Sequence, residues 1–219
     1  MYSRSRFDSE FWRKFVRIWL SLAFGLVACN AVWADDDRRS PEDRRRLAEI
    51  DTLFAKTQQL MQQSRFQEAL PLSQRSLELT RQVLGENHPD TADFYNIIGS
   101  LHQSLGDFKL ARRNYDKSLE INQATLGDHP RTAISLENLG TLLRRTGDPV
   151  AARVHLEKAL AILMKSLGEE HRQTAIAHSN LGELLREIGD FDAALPHLEQ
   201  SLKVTRQLNG MDILRPRRP

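Results

Sequence analysis

The sequence predicts an all-α fold, a solenoid of about four antiparallel helix pairs stacked in a row. Three observations carry this. Nine of the eleven glycines fall into three series, Gly85/Gly127/Gly168, Gly99/Gly140/Gly182 and Gly106/Gly147/Gly189, each stepping by 41 or 42 residues. Other columns keep the same step: His88, His129 and His171; Thr91, Thr132 and Thr174; Ala69, Ala111, Ala152 and Ala194; Leu77, Leu119, Leu160 and Leu202. Within each period, apolar residues recur at helical spacing between Pro, Gly and Asp punctuation. A fixed period of this length marks an array in which each unit is one supersecondary element, with neighbours covering each other's apolar faces.

The unit around Gly140 shows the pattern best. Pro130 suits a first helical turn, where its missing N–H costs nothing. Ala133, Leu136, Leu139, Gly140 and Leu143 then form one stripe, and Gly147 closes the helix as a left-handed cap. Asp148 caps a second helix with Pro149 at its first position, and Ala152, Leu156, Ala159, Leu160 and Leu163 give that helix its apolar face. Equivalent pairs are expected at 90–105 with 108–126 and at 172–188 with 191–207. A leading pair, about 41–63 and 66–84, carries Thr57 and Ser64 where Gly99 and Gly106 stand later. Terminal units are often irregular because one face has no neighbour. A mid-helix glycine costs about 1 kcal/mol relative to alanine, so Gly99, Gly140 and Gly182 predict close helix approach, with Ala111, Ala152 and Ala194 opposite. Pro71 and Pro196, inside second helices, predict a local bend.

The N-terminus differs in kind. Arg4, Arg6, Arg13, Lys14 and Arg17 precede an apolar run from Ile18 to Ala28, followed by Ala31-Val32-Trp33-Ala34 and Asp35-Asp36-Asp37. A basic start, a short apolar core and small residues before a polar stretch make a secretory signal. The run of 11 residues is short of the ~20 that a spanning helix needs. Two maturation routes stay open: cleavage after Ala34, giving an exported periplasmic or secreted protein, or lipidation at Cys29, since Leu26-Val27-Ala28-Cys29 resembles a bacterial lipobox. The domain division is therefore 1–34 signal peptide, 35–46 charged linker, 47–209 solenoid (units about 47–84, 85–126, 127–167 and 168–209) and 210–219 disordered basic tail.

The whole chain has 31 Lys and Arg against 29 Asp and Glu, but residues 1–34 hold five basic and two acidic residues, so the remainder is 26 against 27. The basic balance that would suggest nucleic acid belongs to the signal, as do all three tryptophans and the only cysteine. No Gly-rich phosphate loop, nucleophile elbow or His-Glu-x-x-His occurs in the sequence. His88, His129 and His171 lie one per linker without zinc spacing and read as linker geometry, while His102 falls in the column of Leu143 and Leu185 and reads as core. No enzyme, cofactor or metal is expected.

The two-helix unit, with small residues at Gly140, Ala152 and Ala159 and bulky ones at Leu136, Leu139, Leu143 and Leu156, resembles the tetratricopeptide repeat. The usual period there is about 34 residues. The longer step here, with Leu84-Gly85-Glu86-Asn87-His88-Pro89-Asp90-Thr91-Ala92, Asn138-Leu139-Gly140 and Asn180-Leu181-Gly182, resembles the kinesin light chain type of this repeat. The resemblance covers roughly residues 50–208. It implies a right-handed superhelical solenoid that binds an extended peptide or partner helix in a concave groove lined by the first helices.

Removing the apolar stripe leaves the open face of the first helices. It holds Ile97, Asn138 and Asn180; Ser100, Thr141 and Glu183; Gln103, Arg144 and Arg186; and Ser104, Arg145 and Glu187. Asparagine is a poor helix former, so Asn138 and Asn180 at matching positions suit bonding to a peptide backbone through amides that donate and accept. Arg144, Arg145 and Arg186 suit a carboxylate, and Thr141 and Glu183 complete the candidate site. The expected partner is a protein or peptide, with no nucleic acid, and with a membrane only through Cys29 or an uncleaved signal. The alternative role is structural, with the array self-associating through its ends or convex face.

Overall fold

The computed structural model describes residues 40–213, so the signal, its cleavage, Cys29 and the end of the tail lie outside the described residues. Eight helices and no strand occur among the described residues: α1 (Pro41–Gln62), α2 (Phe66–Leu84), α3 (Pro89–Ser104), α4 (Phe108–Leu126), α5 (Pro130–Arg145), α6 (Pro149–Leu167), α7 (Arg172–Glu187) and α8 (Phe191–Ile213). From α3 onward, pairs pack as α3/α4, α5/α6 and α7/α8, and each second helix, beginning with α2, also packs on the following first helix. The helix α1 starts at Pro41, where the leading pair was expected to begin, and so overlaps the last residues of the 35–46 linker; Ser40 Oγ accepts from the Asp43 backbone N–H at 3.0 Å and donates to its carboxylate at 2.8 Å. The helix α8 runs through Gly210 to Ile213, since one helical glycine costs only about 1 kcal/mol and does not end a helix by itself.

The recurring linker columns have a common hydrogen-bond scheme. Gly85 ends α2 at φ 94° and ψ 164°, a region open in practice to glycine, and Gly127 and Gly168 repeat its positive φ at 61° and 85°. The carbonyls of these glycines accept from Thr91, Thr132 and Thr174 hydroxyls at 2.8, 2.8 and 2.7 Å. The histidines are helix N-caps: His88, His129 and His171 Nδ1 accept from the backbone N–H of Asp90, Arg131 and Gln173, each at 3.1 Å. An imidazole can do this only while Nδ1 keeps its lone pair. Burial, reinforced by Arg131, holds the His129 pKa below the usual imidazole value. Replacing His129 by alanine is expected to cost about 1 kcal/mol and by asparagine much less, since asparagine is a good N-cap. A urea melt of each variant checks this, and equal loss in both would remove the capping role.

The mid-helix glycines do mark close approach, but the residues opposite are not the alanines. A Cβ on Gly140 would lie 2.8 Å from Leu156 Cγ, and one on Gly182 would lie 2.8 Å from Leu198 Cγ and Cδ2. At Gly99 the obstacle is the Tyr115 ring, at 2.6 Å. Ala152 contributes only its carbonyl oxygen, 3.3 Å away. The glycine thus makes room for a bulky side chain one turn beyond the alanine. The first pair reverses the sizes: Thr57 is buried where the glycine would be, and the residue facing it is Ser73, hydroxyl to hydroxyl at 3.5 Å. Ser64 takes the positive φ, 57°, that Gly106, Gly147 and Gly189 take later. Pro71 and Pro196 sit inside α2 and α8, and neither helix is broken there.

A single buried cluster runs from Ala111 and Tyr115 through Leu136, Leu156 and Leu163 to Ala194, joining the last three pairs. First helices also meet the next first helix, α3 with α5 and α5 with α7, whereas among the described residues no two second helices make comparable contact. An array whose first helices approach each other while its second helices stay apart curves toward the first helices, which therefore line its inner side.

Candidate partner-binding face

The inner side is built where consecutive first helices touch. Because the repeat step is 41 or 42 residues, side chains about that far apart in sequence become neighbours in space. Between α3 and α5, the Arg131 guanidinium donates to Asp90 at 2.8 Å and lies 3.5 Å from Asp93. Asn96 Nδ2 donates to Ser135 Oγ at 3.0 Å, and Ser135 in turn meets Ser118 and Asn122 of α4 at 2.9 and 3.1 Å. Between α5 and α7, Arg144 lies 2.7 Å from Glu187 and 3.2 Å from Glu183. Asn180 Nδ2 donates to Glu137 Oε1 at 3.1 Å.

The seven candidate residues are thus not equivalent. Asn138 is half-buried, and its side-chain amide has no hydrogen-bond partner among the described residues, while its atoms stay open to solvent. Asn180, in the same column, is already engaged by Glu137. The Thr141 hydroxyl turns back onto its own helix, at 2.9 and 3.0 Å from the Glu137 and Asn138 carbonyls. Arg144 and Glu183 neutralise one another. Arg145 leaves this face altogether, stacking over the Phe108 ring of α4 at 5.5 Å. Arg186 occupies the Arg144 position in the last pair, where no following first helix stands among the described residues to supply a carboxylate, and it is exposed.

Four residues of the face escaped the sequence reading: Asp90, Asp93, Arg131 and Glu137. Burial pushes the Asp93 carboxyl up to about 7 against the pull of Arg131, with Asp90 adding to the rise. Burial likewise pushes the Glu137 carboxyl up to about 7, and the Asn180 hydrogen bond only partly opposes it. The Asp90–Arg131 pair was available in the sequence, since opposite charges in one column of adjacent units are spatial neighbours. The Glu137–Asn180 contact, one helical position off the column, was not. Among the scattered histidines, His178 and His197 join α7 to α8, Nδ1 to Nδ1 at 2.8 Å. No group of three or more metal-ligating side chains forms among the described residues.

Stacked helix pairs with an inner face of paired charges and one unpartnered amide define a protein–protein interaction scaffold. The chain belongs to the tetratricopeptide repeat family: that family's model matches residues 58–121, 90–165 and 145–207. A search of curated proteins returned no match. Among solved structures, BtubC (BKLC) from P. vanneervenii aligns with a TM-score of 0.64 at 22% identity, over 78% of this chain and 67% of that one. A Podosopora anserina kinesin light chain-type protein with nearly identical repeats aligns at 0.57 and 21% identity, over 73% and 76%. The apo form of RapI aligns at 0.65 and 18% identity, over 74% and 58%. At these identities the likeness is one of fold.

Proposed function

We propose that the protein is an exported adaptor that holds an extended peptide segment of a partner protein along α5 and α7. The observation that carries this is Asn138. Its amide stands on the inner face with no hydrogen-bond partner among the described residues, at a helix position where asparagine is otherwise unfavourable. A side chain with donors and an acceptor is suited to a peptide backbone, whose N–H and C=O groups need both. The export half of the proposal is supported by the basic, apolar and small-residue order of residues 1–34. No helix of the described residues is long and apolar enough to cross a membrane. Asn138→Ala, alone and with Asn180→Ala, is expected to weaken partner capture from envelope extract with native helical circular dichroism. Unchanged capture by both variants would remove the groove.

The end of the array favours a second role. Leu160 is 8% exposed under α7, but Leu202, its counterpart on α8, is 49% exposed. Phe191 and Leu195 are exposed on the same helix. Association of two copies through this end predicts a mass that rises with concentration in sedimentation equilibrium and returns to the monomer in Leu202→Lys. A monomeric mass at every concentration would count against it.

A further inference from the structure

Among the described acids on the inner face of α3, α5 and α7, all but one have a cation. Asp90 and Asp93 share Arg131, and Glu183 and Glu187 share Arg144. Glu137 has only the Asn180 amide, and among the described residues no Lys, Arg or His pairs with it. The residue is 8% exposed, yet its Oε2 has no hydrogen bond and is not sealed from solvent. Desolvating a carboxylate costs several kcal/mol unless a cation and further hydrogen bonds compensate. Repeat packing does not require an acid here. The same column holds Asn96 in α3 and Ser179 in α7, both neutral. The packing of the repeat therefore does not account for the acid.

We infer that Glu137 seats a lysine or arginine side chain carried by the partner peptide. The inference rests on the groove reading and adds the charge of the partner to it. Asn138 is the next residue in the chain, so one turn of α5 offers a free amide for the peptide backbone and a carboxylate for its side chain. An acidic peptide is disfavoured along the same path. The two inner arginines are each bridged by two carboxylates, which an incoming acid would have to displace. The third, Arg186, lies six residues beyond Asn180 on α7, about 9 Å along the helix. A seated cation would also keep Glu137 ionised, so binding would release a proton near neutral pH.

The test uses the full chain, immobilised at pH 7.5, against a displayed library of random peptides of about twelve residues, ~40 Å when extended. The expected pool carries a lysine or arginine at a fixed position. Glu137→Gln, which keeps the Asn180 contact, is expected to weaken a selected peptide about tenfold, with circular dichroism unchanged. Changing the peptide's own basic residue to methionine should weaken wild-type binding equally and Glu137→Gln binding little. Wild-type affinity should fall as pH drops from 7.5 to 5.5, and the variant's should not. A neutral or acidic pool, or full affinity in Glu137→Gln, overturns the inference. If such a pool is still weakened by Asn138→Ala, the groove stands without its cation. Binding indifferent to Asn138→Ala, or no enrichment at all, overturns the groove and the inference together.

Discussion

Gly140→Ala lowers the free energy of unfolding by about 1–3 kcal/mol, although alanine is the better helix former by ~1 kcal/mol. The added methyl meets Leu156 at Cγ, close to that side chain's root, where rotation cannot clear it. Leu156 is itself 1% exposed, and the Ala152 carbonyl closes the other side. The methyl can be accommodated only by parting α5 from α6, which opens the buried cluster that joins three pairs. Gly210→Ala is the matched control. It lies in α8 with nothing within 4 Å of a new Cβ, so only propensity acts and stability rises by up to about 1 kcal/mol. Urea unfolding of both variants decides the matter. If Gly140→Ala were as stable as the parent, close approach would not be the reason for the glycine column.

Glu137→Gln stabilises the protein at pH 8 by on the order of 3 kcal/mol, and the gain vanishes near pH 4.5. The sign follows from the shift. The carboxyl rises from 4.5 in the unfolded chain to about 7 in the fold. Below 4.5 both states hold the proton, and the group does not bias folding. As pH rises toward 7 and beyond, the unfolded state gives up its proton first, so ionisation increasingly opposes the fold. Glutamine keeps the amide contact and the shape without that cost. Thermal melts at pH 4.5, 6 and 8 test this; a difference independent of pH would show that Glu137 is not an uncompensated acid. A residue that destabilises the free protein while holding a charge ready for a ligand is a common compromise at binding sites.

The helical array was legible because the repeat multiplies weak signals. One glycine says little, but Gly106, Gly147 and Gly189 at a constant step name a left-handed cap three times, and all three have positive φ. Helix limits followed to within a residue or two from α2 through α7, where Pro and Gly punctuate the chain. The helix α1 likewise begins and ends about where the leading pair was placed, while α8 runs on to Ile213, past the 207 read for it. The glycine column announced a tight contact without saying with what. Column logic paired small with small, whereas packing pairs the smallest residue with the largest that fits. The inner face was half legible. Columns located Asn138, Thr141 and Arg144, but a column cannot show that Arg144 is neutralised from the next unit, or that Arg145 turns aside to Phe108. Glu137 went unnoticed because its neighbours in sequence are the asparagine and the leucine that fit the repeat.

The histidine caps give the array a property that its apolar core lacks. The starts of α3, α5 and α7 each depend on one imidazole lone pair, a directional bond where the core has only undirected burial. At α5, burial and the Arg131 charge hold that imidazole below its usual protonation range, so its lone pair persists into more acid than a free ring's would. The charge that links α3 to α5 thus also guards the joint from which α5 starts.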